Sequence, residues 1–248
     1  MNTFLSQRSS RWVRALIPGA AVLSGLVLLA AQFRGDLVVQ AVRFEGNQRA
    51  SSASLRHLVD LPAGTWLWSF SSDRVARKAE QHPWVERAEA HMVWPGEVVV
   101  TVEERQAVAL VLYDGLYYVD DDGQVFLKAR NESLDFPVIT GLSPDMERLH
   151  PELPPLVLGR AVRLLDALAR LGLVAQEQVS EVQYDDVLGF TVILSRGGRV
   201  IFGLDDHERQ LRRLERLVAS GVNLGAPLLI DLGPQRVAVV TPLIGSDS

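Results

Sequence analysis

The 248-residue chain contains no cysteine and only two lysines, and it carries no recognisable catalytic motif. Without cysteine it cannot form disulfide bonds, thiolate metal sites or cysteine nucleophiles. The five histidines lie at spacings that match no metal-binding motif, and the serine signatures G-x-S-x-G and S-x-x-K do not occur. These absences predict a protein that is not an enzyme and that needs no metal or cofactor.

One acidic turn resembles a calcium-binding loop at first sight. An EF-hand loop that began at Asp120 would need glycine at its sixth position and glutamate at its twelfth, where this chain has Val125 and Asn131. We therefore interpret residues 120–123 as a hairpin turn rich in aspartate.

Charge is also absent from one long stretch near the start, residues 15–33. A helix of that length, at about 1.5 Å per residue, covers roughly the hydrocarbon thickness of a bilayer. Three arginines precede it and the first acidic residue is Asp36, so the positive-inside rule places residues 1–14 in the cytoplasm. We predict a single transmembrane helix over residues 15–34, with everything after it outside the cytoplasm. The anchor residues singled out are Leu16, Val22, Leu26, Leu28 and Phe33.

A cleaved signal peptide is the alternative interpretation of this stretch. The apolar run is longer than the roughly 7–15 residues of a signal core, and it offers no clean A-x-A cleavage pattern. Both features favour an uncleaved anchor.

Beyond the anchor the chain is acidic. Four arginines lie at or before position 34, which leaves 21 basic against 30 acidic residues, a net charge of −9. That sign argues against nucleic-acid partners and against broad adhesion to anionic lipid. The remaining length is enough for two modest domains.

Residues 35–105 combine strand and helix patterns that predict a β-α-α-β-β domain. The expected elements are a strand at 37–44, helices beginning at Ser51 or Ser52 and at Ser71 or Ser72, and strands at 88–94 and 98–102. At least two of its tryptophans are expected in the core. The four are Trp66, Trp68, Trp84 and Trp94.

Residues 106–244 predict a second, mixed α/β domain. Short strands separated by Asp-Gly and Gly-Gly turns indicate an antiparallel-type sheet. Two helices interrupt the strands, one running to Gly172 and one capped by Asp205. The last two strands are expected at 228–232 and 236–240, and residues 245–248 form a short tail. The predicted fold class is therefore α+β, with one transmembrane helix and two extracytoplasmic domains.

Several strings of the chain carry a resemblance to a known family. In the first domain they are VVQAVRFEGNQ and HPWVERAEAHMVWPGEVVVTVEERQAVA, and in the second domain they are YYVDDDGQVF, FPVITG and LLIDLGPQRVAVV. In order and spacing these strings resemble the FtsQ/DivIB family of bacterial cell-division proteins. The first two are similar to the opening and closing strings of that family's POTRA domain and the other three to strings of its C-terminal β domain, so the resemblance covers essentially the whole chain.

The resemblance implies a non-enzymatic component of the division machinery, located in the cytoplasmic (inner) membrane at the division septum with its body in the periplasm. It further implies that the chain binds FtsB and FtsL and links early to late division proteins. FtsK and the septal synthases are further candidate partners. Neither nucleic acid nor a small-molecule substrate is implied.

The last predicted strand is expected at a sheet edge, with one face in the core. Unpaired peptide groups at such an edge allow a partner segment to add itself as another strand. The candidate partner-binding residues are Leu232, Gln235, Arg236, Val237, Ala238, Val239 and Val240.

Two other functions stay open at this point. POTRA units also occur in components of protein translocation or outer-membrane assembly. A periplasmic cell-wall enzyme is the other alternative, and the missing catalytic residues argue against it.

Overall fold

The computed structural model describes residues 24–25, 37–130, 135–174, 178–204, 207–233 and 239–242. Within those ranges no helix has both the length and the apolar character that crossing a bilayer requires. Two residues of the predicted anchor, Ser24 and Gly25, are helical and exposed. The anchor residues singled out above, Leu16, Val22, Leu26, Leu28 and Phe33, lie outside the described residues.

The chain divides into two compact units between Glu104 and Arg105. Unit 1 is described from residue 37 and unit 2 from residue 105.

Unit 1 has the predicted β-α-α-β-β order. Its elements are β1 (Ala41–Glu45), α1 (Ser52–Val59), α2 (Ser72–Ala79), β2 (Val85–Val93) and β3 (Glu97–Glu104). The strands form one sheet in the order β1-β3-β2, in which β3 pairs parallel with β1 and antiparallel with β2. Because a parallel pair needs a crossover, the two helices are required between β1 and the hairpin.

Local sequence explains where the helices of unit 1 begin. Ser51 has an extended backbone and its hydroxyl accepts the backbone N–H of Ser54 at 3.1 Å, which satisfies one of the free donors at the start of α1. Both helices bury one side only. The buried helix residues are Leu55 and Val59 from α1 and Val75, Ala76 and Ala79 from α2.

The expectation that at least two tryptophans of unit 1 lie in the core is wrong. Only Trp84 is buried, with 9% of its surface exposed, and the Arg49 guanidinium lies 4.5 Å from the centre of its ring. The other three are exposed, Trp66 by 53%, Trp68 by 74% and Trp94 by 74%. These three lie in turns whose backbones are held by hydrogen bonds, so the turns form without burying an indole ring.

Unit 2 is built on one nine-stranded sheet. Its elements are β4 (Ala107–Leu112), β5 (Leu116–Asp120), β6 (Val125–Lys128), β7 (Val138–Thr140), α3 (Pro144–Leu149), α4 (Leu153–Arg170), β8 (Val179–Asp185), β9 (Gly189–Leu194), β10 (Arg199–Gly203), α5 (His207–Ala219), β11 (Leu228–Asp231) and β12 (Val239–Pro242). The strand order across the sheet is β12-β11-β10-β9-β8-β7-β4-β5-β6.

This sheet is mixed, so the expected antiparallel-type sheet is wrong in part. Three neighbouring pairs are parallel, namely β4 with β7, β7 with β8, and β10 with β11. The last two of these pairs are joined by helical crossovers, through α3 and α4 and through α5, as parallel connections demand.

The expectation of two helices in unit 2 is also wrong, because α3 is a third. It is short, with Ser143 accepting the backbone N–H of Met146 at 3.2 Å and Pro144 at its start. The apolar stripe of helix α4 is buried, whereas Leu171, which caps its C-terminus, is exposed. Asp205, the expected cap of α5, lies outside the described residues.

The turn after β1 shows why one motif glycine is required. Gly46 has a φ of +84°, and a Cβ there would overlap the carbonyl oxygen of Val102 on β3. Gly64 has a similar φ of +88°, but a Cβ there would meet nothing within 4 Å. The two glycines therefore separate the cost of a left-handed backbone from the cost of a steric clash.

We expect Gly46→Ala to destabilise unit 1 more than Gly64→Ala does. A left-handed backbone destabilises a non-glycine residue by about 1–2 kcal/mol, and this loss is common to both variants. Overlap with the β3 backbone adds about 1–3 kcal/mol at position 46 only. Hydrogen exchange of the unit 1 amides in the full chain measures both opening free energies. Equal losses in the two variants would contradict the close approach of the two backbones.

Candidate functional site

Strand β12 lies at one end of the nine-stranded sheet. It pairs antiparallel with β11, from Asp231 opposite Val239 to Leu228 opposite Pro242. In the described part of the chain no strand lies beyond it. Alternate peptide groups of β12 therefore point away from β11, toward water or an added strand.

All four residues of β12 are exposed, which corrects the expectation that one face of the last strand is core. Val239 is 50% exposed and Val240 is 38% exposed, although their side chains point to opposite faces of the sheet. Of the strand expected at 236–240, residues 236–238 lie outside the described residues, and the described strand runs from Val239 to Pro242. Strand β12 is thus bound through its backbone ladder to β11 and has both valine side chains available.

The first of the predicted partner-binding residues, Leu232, belongs to the core. Its side chain is fully buried, its N–H donates to the carbonyl of Ile201 at 2.9 Å, and its carbonyl accepts from Arg213 Nη1 at 3.1 Å. Leu232 therefore fastens the end of β11 to β10 and α5 and offers no side chain to a partner. Gln235, Arg236, Val237 and Ala238 lie outside the described residues.

The opposite edge strand, β6, differs from β12 in charge. Lys128 at its end has its Nζ 3.7 Å from Asp114 Oδ2 and 5.1 Å from the centre of the Tyr117 ring. The hydroxyl of Tyr117 donates to Asp114 Oδ1 at 2.8 Å, and this bond, together with Lys128, lowers the pKa of Asp114. A lysine on an edge strand discourages strand addition. The edge formed by β12, with the sequence VVTP, has no such charge.

A half-open groove of about 780 Å³ lies beside this charged edge. Its lining is mostly tyrosine and proline from the turns around β5 and the start of α4. The acidic group among the lining residues is Asp114, which Tyr117 and Lys128 already bind. The groove therefore presents no pair of free titratable side chains for acid–base chemistry.

Unit 1 contains a serine–histidine contact that sequence reasoning did not find. Ser54 Oγ lies 3.2 Å from His82 Nε2, and His82 Nδ1 accepts the backbone N–H of Trp84 at 3.3 Å. Since Nδ1 is an acceptor, the neutral ring carries its proton on Nε2 and donates it to Ser54. The Ser54 hydroxyl in turn donates to the Ser51 carbonyl at 2.8 Å. A nucleophilic serine needs a base that accepts its proton, so this arrangement is structural.

Glu104 closes the turn after β1. Its carboxylate accepts the backbone N–H groups of Gln48 at 2.8 Å, Arg49 at 2.9 Å and Ala50 at 2.7 Å. Partial burial works to raise the pKa of Glu104, but these three donors and the Arg49 charge outweigh it and lower the pKa. Glu104 thus stabilises the turn after β1 and has a structural role within unit 1.

Arg105 and Asp120 form the corresponding clamp within unit 2. Arg105 Nη1 lies 2.8 Å from Asp120 Oδ2, and Asp120 Oδ1 accepts the backbone N–H of Gln124 at 2.7 Å. Asp120 is buried, so its charge has to be paired in this way. The first carboxylate of the aspartate-rich turn, that of Asp120, is therefore already bound by Arg105 and Gln124. Across the described ranges no three histidine or acidic residues lie together as a metal site would require.

The sequence predicts no role for Glu104 and Arg105, and it assigns Asp120 only to a turn. Two consecutive opposite charges at the boundary between the domains were the available signal. Their partners, 15 and more residues away, were not readable from the sequence.

Comparison with known proteins gives matches over both units. A family model described as POTRA domain, FtsQ-type, matches residues 37–105, and one described as Cell division protein FtsQ/DivIB, C-terminal, matches residues 109–233. The chain is similar to the cell division protein FtsQ of Syntrophotalea carbinolica, with 32% identity covering 87% of this chain and 80% of that protein. The corresponding values are 35%, 83% and 69% for the FtsQ of an Anaeromyxobacter species. They are 32%, 82% and 70% for that of Myxococcus fulvus.

We expect the stability of unit 1 to decrease as the pH falls through the ordinary histidine pKa of about 6.5. Burial lowers the pKa of His82, and the charge of Glu104 opposes this shift. His82 therefore binds a proton less readily in the folded unit than in the unfolded chain. The stabilisation is therefore present above that pH and is lost below it. The urea midpoint of unit 1, followed by limited proteolysis of the full chain at several pH values, measures the slope. His82→Gln should flatten it, and an unchanged slope in that variant would contradict the assignment.

Proposed function

Because this chain belongs to the FtsQ/DivIB family of bacterial cell-division proteins, we propose that it is a non-enzymatic scaffold of the division machinery that captures a partner segment on the free edge of β12. The observation that carries the proposal is an edge strand that has one neighbour, no charge and exposed side chains on both faces.

The two edges of the sheet make unequal binding surfaces. A partner that added itself to β6 would meet a strand that carries the charge of Lys128, which lies near Asp114 and over the Tyr117 ring. At β12 an added strand replaces only water on the outward peptide groups and covers Val239 and Val240. Backbone hydrogen bonds then supply affinity, and the valines select apolar side chains at alternate positions of the partner.

Strand β11, the inner neighbour of β12, keeps β12 in position. Ile230 on β11 is buried, and Leu232 just after β11 is bound to Ile201 and Arg213. A partner strand therefore meets an edge whose inner neighbour is fixed, which lowers the ordering cost of binding. Four residues of strand span about 13 Å, which suits a short extended segment.

The partners proposed for this edge are FtsB and FtsL, with FtsK and the septal synthases as further candidates. Within the predicted site, Val239 and Val240 are the proposed side-chain contacts. The preceding residues Gln235, Arg236, Val237 and Ala238 extend the proposed contact along the chain. The protein then links early to late division proteins by holding both on one body.

We further propose that residues 15–34 anchor the protein in the cytoplasmic membrane, with residues 1–14 inside the cell. The uncharged stretch and the three arginines before it support this topology. Both units then lie outside the cytoplasm at the division septum.

Proline substitutions at two adjacent residues test the edge directly. Val239 and Val240 direct their N–H groups to opposite sides of β12, one toward β11 and one outward. We expect one of Val239→Pro and Val240→Pro to abolish co-purification with FtsB and FtsL while hydrogen exchange of β11 stays unchanged. The other should loosen the β11–β12 pair, so the variants control each other. Undiminished capture by both would rule out the edge.

Depletion of the protein from living cells tests the division role itself. We expect filaments without constricted septa, and rescue by the wild-type chain but not by the capture-deficient proline variant. Light microscopy measures cell length and constriction. Normal division accompanied by loss of outer-membrane proteins would instead support the translocation alternative.

A further inference from the structure

Unit 1 presents a set of exposed apolar side chains from two turns. We call them the tryptophan cluster: Trp66, Trp68, Met92, Val93 and Trp94. Each of the five is more than one-third exposed, and three of them are the indole rings that core packing leaves out. None of the residues at 61–70, which contain the first turn, or at 92–96, which contain the end of β2 and the second turn, carries a charge. Soluble surfaces seldom expose so much aromatic area without a use for it.

Backbone hydrogen bonds tie both turns to the segment where the chain enters unit 1. In the first turn, Leu67 N–H donates to the Leu37 carbonyl at 3.1 Å and Val39 N–H to the Thr65 carbonyl at 2.8 Å. In the second turn, the Gly96 carbonyl accepts the N–H of Gln40 at 2.7 Å. The cluster therefore lies at the end of unit 1 where residues 37–40 enter it, and the turn closed by Glu104 lies at the other end of the sheet.

The entering segment follows the predicted membrane anchor almost at once. The anchor is predicted to end at residue 34, and Leu37 comes three residues later. Three residues span at most roughly 11 Å, whatever conformation they adopt. Leu37 is thus tethered within the depth of the lipid headgroup layer, and the turns that carry the cluster are hydrogen-bonded to the segment that it begins. Indole rings are favoured in that layer because they combine an apolar body with one polar N–H.

We propose that the tryptophan cluster docks unit 1 on the outer headgroup region of the bilayer, so that the unit rests on the membrane in a defined orientation. The inference rests on the proposed anchor. The partner of the tryptophan cluster is the lipid interface, because the tether brings the lipid within reach. The two turns also carry no charge that would need a charged partner. The nearest acidic group on the hairpin, Glu97, is already paired with Arg43 at 3.0 Å. Docking is therefore apolar and needs no anionic lipid.

The absence of cysteine makes the test direct, because single cysteines can be introduced and labelled with the environment-sensitive dye NBD. Three full-chain variants are reconstituted into phosphatidylcholine nanodiscs. Trp68→Cys places the dye in the cluster, Gln48→Cys places it on an exposed residue at the opposite end of the same unit, and Leu26→Cys places it in the predicted anchor. Emission wavelength and quenching by lipids that carry a nitroxide are measured for each.

We expect the dye at positions 26 and 68 to emit at shorter wavelength and to be quenched by the nitroxide lipid, and the dye at position 48 to behave as in water. The signal at position 68 should not change when salt is raised about tenfold, because screening acts on charges. It should weaken when Trp66→Ser and Trp94→Ser are added, since the cluster then has no indole left to hold the turn at the interface.

Each contrary result has its own meaning. A lipid signal at position 26 with a water signal at position 68 overturns the docking and leaves the anchor standing. Water signals at both positions overturn the docking together with the proposed anchor. A signal at position 68 that requires other membrane proteins in the nanodisc overturns the lipid proposal and assigns the cluster to a protein partner.

Discussion

A β-sheet that does not close on itself leaves peptide groups unpaired along both edges, and the proposed binding surface depends on how the two edges of the sheet in unit 2 differ. The β6 edge carries Lys128, held over Tyr117 and near Asp114. The β12 edge carries only VVTP and exposes every side chain. The two edges therefore differ in charge, since β6 carries a lysine and β12 carries no charged residue.

The proposed surface at β12 depends on the strands behind it, which are held in the core. Helix α5 crosses from β10 to β11, and this crossover places β11 parallel to β10 with Ile230 in the core. Leu232 then closes the arrangement through its bonds to Ile201 and Arg213. Since β12 buries no side chain of its own, the described contacts that position it are those of its backbone with β11.

Charged and polar groups that resemble catalytic machinery are used here to hold turns. Glu104 gathers three backbone donors, Asp120 is paired with Arg105, and His82 donates to Ser54 instead of accepting from it. Each of these groups is bound by another residue of its own unit. The same division appears among the tryptophans, of which Trp84 supports the core while the rings in the turns stay at the surface.

Features that depend on neighbours in the sequence were predictable from the sequence itself. The β-α-α-β-β order and the apolar stripe of α4 follow from local periodicity, caps and turn residues, and the strings of the family resemblance are likewise local. The parallel pairs around β7, the short helix α3, the burial of Leu232 and the exposure of Trp66 were decided by tertiary structure. They depend on which distant segment lies alongside, and pairing between distant segments leaves no periodic signal in either one.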